Sequence, residues 1–149
     1  MKELSLPLRF GLVTSAVLIA YFLVLALFHR HTNPVFSFFN AVITAFGIFE
    51  AIRVYKLQNG ETFTYADGFK TGLITGGVAT ILFTVFFLLY ATEINAEFIP
   101  ELLATIKGGF DTNVGMITAV VAIMGFATTV VCTLTVMQLF KNSKNMRSK

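Results

Sequence analysis

Four long runs without a charged residue fill most of this 149-residue chain, and they constrain its fold more than any other feature. They cover residues 10–28, 35–49, 71–90 and 114–140, and the second continues to residue 55 through a more polar stretch. A helix needs about 20 mostly apolar residues to cross the hydrocarbon core of a bilayer. Hydrophobic residues make up 56% of the chain, more than is usual for a soluble domain. The sequence therefore predicts an integral membrane protein.

The runs also indicate the architecture, because backbone groups in lipid must be satisfied within the chain and helices do this. We predict an all-α, integral membrane four-helix bundle that forms one domain over residues 1–149. The predicted parts are spans near 8–28, 34–55, 68–90 and 114–140, an outer loop at 91–113 and a basic cytoplasmic tail at 141–149. Apolar residues at helical spacing from Phe98 to Ile106 indicate a short interfacial helix in the outer loop, ending at Gly108 and Gly109.

The orientation follows from the basic residues, which accumulate on the cytoplasmic side of membrane proteins. With the N-terminus inside, only Arg30 and Lys107 lie outside. The nine inner basic residues are Lys2, Arg9, Arg53, Lys56, Lys70, Lys141, Lys144, Arg147 and Lys149. Both termini are therefore predicted to be cytoplasmic.

Local signals mark where the second helix begins and where the third one does. Pro34 is expected to open helix two, since proline suits the first helical turn. Residues 58–61 break that helix, and Thr64 with Asp67 three residues later predicts a capping box that opens helix three. Alternatively, the Asn-Gly pair within residues 55–65 could turn a small β-hairpin.

The chain shows an internal similarity at an offset of 61 residues. This offset places residues 11–17 on residues 72–78 with identical or conservative pairs throughout. Spans one and three both run outward, so the similarity favours two tandem parallel helical hairpins. Coincidence between apolar segments of low diversity is the alternative.

Glycines recur at four-residue intervals in span three. Gly68, Gly72 and Gly76 form this stripe, and Gly77 adjoins it. Small residues at this spacing let another backbone approach closely in membranes. We expect a helix-packing face, whose neighbour is either in the same chain or in another copy.

An acidic and a basic residue lie close together near the inner end of span two. Glu50 and Arg53 are three positions apart, so they occupy neighbouring positions on one helix face. Glu50 would lie about 7 Å inside the hydrocarbon core. An intramembrane polar pair of this kind either borders an ion or substrate path or is an interfacial ion pair whose arginine reaches the headgroups.

No catalytic motif is recognisable, so we expect no enzymatic activity and no cofactor. His29 and His31 are interpreted as polar boundary residues, and no metal site is expected. Cys132 is expected to serve packing only, and no nucleic acid partner is expected because the basic residues flank the spans. The threonines of span four are expected to make backbone or interhelical hydrogen bonds; they are Thr128, Thr129, Thr133 and Thr135.

The basic N-terminus before Gly11, the turn from Thr62 to Gly72 and the lysine-rich tail resemble a known family. It is the domain of unknown function 4199 family, small four-span bacterial membrane proteins, and the resemblance covers nearly the whole chain. The resemblance implies a bacterial inner (plasma) membrane location and carries no functional residue with it. We therefore hypothesise a non-enzymatic membrane protein that acts by helix association, as a homo-oligomer or as an accessory subunit of an unidentified membrane partner. The alternative is a small transporter or channel subunit in which Glu50 and Arg53 border a polar pathway.

Overall fold

A computed structural model describes residues 2–28, 34–95, 97–105 and 113–140 of the chain. The described helices are α1 (Lys2–Leu27), α2 (Pro34–Asn59), α3 (Tyr65–Leu89), α4 (Phe98–Thr105) and α5 (Val114–Leu139). The four long helices α1, α2, α3 and α5 are each long and apolar enough to cross a membrane. The predicted all-α membrane four-helix bundle is thereby confirmed.

Helices α2 and α3 form the centre of the bundle. Each of them packs against the other and against both α1 and α5, which places α1 and α5 at opposite corners. Helices α1 and α3 are parallel: the Thr75 hydroxyl donates to the Pro7 carbonyl at 3.3 Å, and later along both helices Phe22 meets Phe87 at a ring separation of 6.3 Å. The two hairpins α1–α2 and α3–α5 thus lie side by side in the same direction.

The connection between α2 and α3 follows its local sequence. Helix α2 begins at Pro34, as predicted, and continues to Asn59, where Gly60 takes a left-handed φ of 52°. A short 3-10 turn, Gly60–Thr62, follows. The predicted capping box is confirmed, since the Thr64 hydroxyl accepts from the Asp67 backbone N–H at 3.2 Å while the Asp67 carboxylate accepts from the Thr64 N–H at 3.3 Å. Residues 55–65 contain no strand, so the alternative β-hairpin is wrong: the helix and its 3-10 extension use these residues.

An aromatic cluster closes the end of the bundle at which α1 and α3 end. Helix α3 ends in a π-helical turn, Tyr90–Ile94, and α4 then folds back over the end of α1 and α3. Phe22 lies at the centre, with its ring 5.0 Å from that of Tyr90 and 5.8 Å from that of Phe98 in edge-to-face geometry. Phe98 and Ile99 are buried there, which confirms the predicted short helix and gives its apolar face a protein partner.

Several expectations fall on residues that the structure does not describe. They concern the turn with His29, Arg30 and His31, the segment with Lys107, Gly108 and Gly109, and the basic tail at 141–149.

Candidate functional site

Glu50 and Arg53 form an ion pair on α2. The Arg53 Nη1 atom lies 3.2 Å from Glu50 Oε1 and 3.4 Å from Oε2, so one nitrogen faces both carboxylate oxygens. The Arg53 side chain is 56% exposed and that of Glu50 is 25% exposed. The pair is therefore at the rim of the bundle, where the arginine can extend toward headgroups.

The opposite face of α2 fills the interior at this level. Ile48 and Ile52 have no exposed surface, and they pack with Val136 and Met137 of α5. Successive helical residues are about 100° apart, so Glu50 lies roughly opposite these two isoleucines. A polar path beside Glu50 would thus run along the outside of this chain, against lipid or a neighbouring copy.

The glycine stripe of α3 lies against α5 of the same chain. A Cβ on Gly72 would lie 2.6 Å from Thr133 Cγ2, and a Cβ on Gly68 would lie 2.8 Å from Met137 Sδ. Gly76 meets Thr129 equally closely. All three glycines are buried, so this face is already occupied and a second copy would have to use another one.

Both helices contribute glycines to the contact between α3 and α5. Nearer the end of α3 the glycine is on α5 instead, and a Cβ on Gly125 of α5 would lie 2.5 Å from Thr80 Cγ2 of α3. We call this contact the α3–α5 seam; its facing pairs are Gly68 and Met137, Gly72 and Thr133, Gly76 and Thr129, and Thr80 and Gly125. Both helices advance by four residues per pair and run in opposite directions. This is a close antiparallel packing of small residues.

Gly77 has a different environment from its three neighbours. A Cβ there would lie 3.7 Å from Phe126 Cε1, an ordinary van der Waals distance, so Gly77 is no part of the close contact.

Hydroxyl groups along the seam are only partly satisfied. Thr80 Oγ1 and Thr129 Oγ1 are 3.4 Å apart across the seam. Outside the seam, the exposed Thr135 hydroxyl donates to the Val131 carbonyl at 2.8 Å. These contacts confirm the expected interhelical bond for Thr129 and the expected backbone bond for Thr135. The expectation is wrong for Thr133, whose buried hydroxyl has no hydrogen-bond partner among the described residues. Close packing against Gly72 fixes the position of the Thr133 side chain instead.

Sequence reasoning found the glycines of α3 but missed their partners on α5. The missing signal was a second four-residue ladder, Gly125, Thr129, Thr133 and Met137, which matches the spacing of the first in reverse order. It also missed Gly47 of α2, which packs against Thr14 of α1 in the other hairpin.

The described residues contain no group of three or more His, Cys, Asp or Glu side chains that could hold a metal ion. Cys132 is half-buried, and its Sγ atom lies 3.9 Å from the Ala41 carbonyl oxygen of α2. Its surroundings are those of a small packing residue between two helices.

Comparison with known proteins gives a family without an assigned activity. No curated protein and no solved structure matches the chain. The sequence profile of the family described as protein of unknown function (DUF4199) matches residues 9–142, which span all four long helices except the first turns of α1. The chain therefore belongs to the DUF4199 family of proteins of unknown function.

Proposed function

We propose that this protein is a non-enzymatic, multi-pass component of the bacterial inner membrane that acts by helix association, as a homo-oligomer or as an accessory subunit. The family resemblance supports the bacterial membrane. The distribution of Lys and Arg, with nine of eleven on one side, supports cytoplasmic termini.

The observation that carries the proposal is how little of α5 the bundle covers. Only 6% of the most apolar part of α5 is buried, against 28% to 33% for the other three long helices. The seam uses one narrow face of α5. Helix α2 contacts α5 through Cys132, Val136 and Met137, and the remaining exposed side of α5 is available to a partner within the membrane.

The uncovered side of α5 has the spacing of a helix-pairing surface. Six exposed residues follow one another at alternating intervals of four and three: Met116, Val120, Ile123, Ala127, Val130 and Leu134. Apolar residues at this spacing form the contact line between two helices that pack with interlocking side chains. We name these six residues the α5 stripe. It is centred about 120° around α5 from the line of residues that faces α3, so α3 and α5 can keep their contact while a second helix binds.

Site-directed disulfide cross-linking in native membranes tests the proposal. In a two-fold homodimer about the membrane normal, identical residues of the two α5 stripes lie at the same depth and face one another. Ile123→Cys in a Cys132→Ala background is therefore expected to form a disulfide-linked dimer. Val13→Cys on α1 is the matched control, because Val13 is 62% exposed and Ile123 is 68% exposed.

The control is expected to remain monomeric under the same oxidation. Equal dimer yields from the two variants would indicate random collision, and a monomer in both would contradict association through α5. Native mass spectrometry from nanodiscs would then give the number of chains per particle directly.

A further inference from the structure

A groove lies where α1 begins and α2 ends. It has a volume of about 220 Å³ and is lined by Ser5, Leu6, Arg9, Phe10, Val54 and Gln58. The lining residues are spaced by four along each helix, so each pair lies on one helix face. The pairs are Ser5 with Arg9 and Leu6 with Phe10 on α1, and Val54 with Gln58 on α2. The groove therefore follows the crossing of α1 and α2 lengthwise and is open at its side.

The lining separates into an apolar floor and a polar rim. Leu6 is buried, and Phe10 and Val54 are half-buried, so they provide the floor. Arg9, Gln58 and Ser5 are exposed and provide the rim. The guanidinium of Arg9 and the amide of Gln58 can both donate hydrogen bonds, and guanidinium is the group best matched to phosphate.

Arg9 brings a positive charge that no described acidic side chain neutralises. The only ion pair among the described residues joins Arg53 to Glu50 on α2, and Arg9 takes no part in it. The Arg9 charge is thus available to an anion. A guanidinium can bind two oxygens of one phosphate at once, which adds direction to the electrostatic attraction.

The depth of Arg9 indicates where that anion comes from. The candidate membrane span of α1 is Ser5–Leu27, and Arg9 follows Ser5 by four residues, about 6 Å along the axis. At this level the hydrocarbon meets the headgroups, and an arginine there must pair or reach outward. Exposed apolar residues continue along α1 beyond the groove, including Leu12 and Val13, and offer a path for acyl chains.

The size of the groove also suits part of a lipid. Pockets for drug-sized ligands are about 300 to 1,000 Å³. The smaller volume of this groove suits a headgroup phosphate with its nearest glycerol carbons.

We propose that the groove between α1 and α2 binds the phosphate of an anionic phospholipid, with Arg9 as the anchoring residue and Gln58 as a further donor. This binding does not depend on which side of the membrane the groove faces, and it does not require the chain to associate through α5.

Native mass spectrometry of the full chain with added phosphatidylglycerol tests the proposal. Arg9→Gln is expected to weaken retention of the lipid by about tenfold or more, the loss typical of a hydrogen bond between charged groups. The matched control is Lys70→Gln on α3, which removes an exposed positive charge at the same end of the bundle and outside the groove. The control is expected to change retention only by the few-fold effect of one charge near an anionic surface.

Two further measurements decide between the remaining outcomes. Gln58→Leu retains a similar side-chain volume without the donors and is expected to weaken retention less than Arg9→Gln does. Inorganic phosphate at millimolar concentration is expected to leave the bound lipid in place, because it has no acyl chains to bind along α1. Equal losses for Arg9→Gln and Lys70→Gln would overturn the proposal, and so would complete displacement by phosphate, which would identify a site for a soluble anion.

Discussion

Replacing single glycines of α3 by alanine tests the α3–α5 seam directly. Gly72 and Gly77 are five residues apart on the same helix, and Gly→Ala gains helix propensity at both, about 0.5 to 1 kcal/mol. The two sites differ in the space available to a methyl group. At Gly72 the new Cβ would lie 2.6 Å from Thr133 Cγ2 and 3.1 Å from Ile52 Cδ1, whereas at Gly77 the nearest atom is 3.7 Å away.

The magnitude follows from this difference. Carbon atoms in contact are about 3.5 to 4.0 Å apart, so Gly72→Ala requires α5 to move away by roughly 1 Å. Overpacking of this kind typically costs about 1 to 3 kcal/mol. Because the propensity gain is common to both variants, Gly72→Ala is expected to be less stable than Gly77→Ala by about that amount. The Gly77→Ala protein is expected to be at least as stable as the unmodified chain.

Cys132 provides the assay, since it is the chain's single cysteine and is half-buried between α5 and α2. Its labelling by a maleimide in detergent micelles reports separation of α5 from the bundle when opening is fast relative to labelling. A difference of 1 to 3 kcal/mol corresponds to about 5- to 150-fold faster labelling of Gly72→Ala than of Gly77→Ala. Equal rates would refute the close contact at Gly72.

A second substitution shows whether the effect comes from the seam. Thr133→Ala removes the Cγ2 atom that the new methyl group would meet and also the hydroxyl without a partner. The double variant Gly72→Ala, Thr133→Ala is therefore expected to recover most of the lost stability. Additive effects of the two substitutions would indicate that Gly72 acts through another contact.

Two other predictions concern local interactions. Thr64→Ala removes the hydroxyl of the capping box and is expected to lower the free energy of unfolding by about 1 kcal/mol. Thr64→Ser retains the hydroxyl, and equal stability of the two variants in denaturant titrations would contradict the capping role. Arg53→Gln is expected to destabilise the protein by about 1 to 3 kcal/mol more than Glu50→Gln, because a lone arginine can extend to the headgroups and a lone carboxylate at this depth cannot. The same titrations check the order, and a larger loss for Glu50→Gln would show that the carboxylate makes a further contact.

The ends of the helices were largely predictable from the sequence because they depend on neighbouring residues. Pro34 begins α2, and Thr64 with Asp67 begins α3, through backbone geometry and hydrogen bonds within one turn. The placement of Glu50 was not predictable in this way. Its distance from the helix end could be counted, but the side of α2 that faces the bundle depends on where α3 and α5 pack.

The sequence by itself determined that the chain enters a membrane, how many helices cross it and which residues of α3 allow a close approach. Only the tertiary structure decided that α5 lies on Gly68, Gly72 and Gly76 and that its ladder from Gly125 to Met137, not the α5 stripe, faces inward. The physical reason is that both sides of α5 are mainly apolar, so the free energy of exposing either side to lipid is similar. Close van der Waals packing determines which side of α5 faces α3, and this packing depends on the surfaces of both helices.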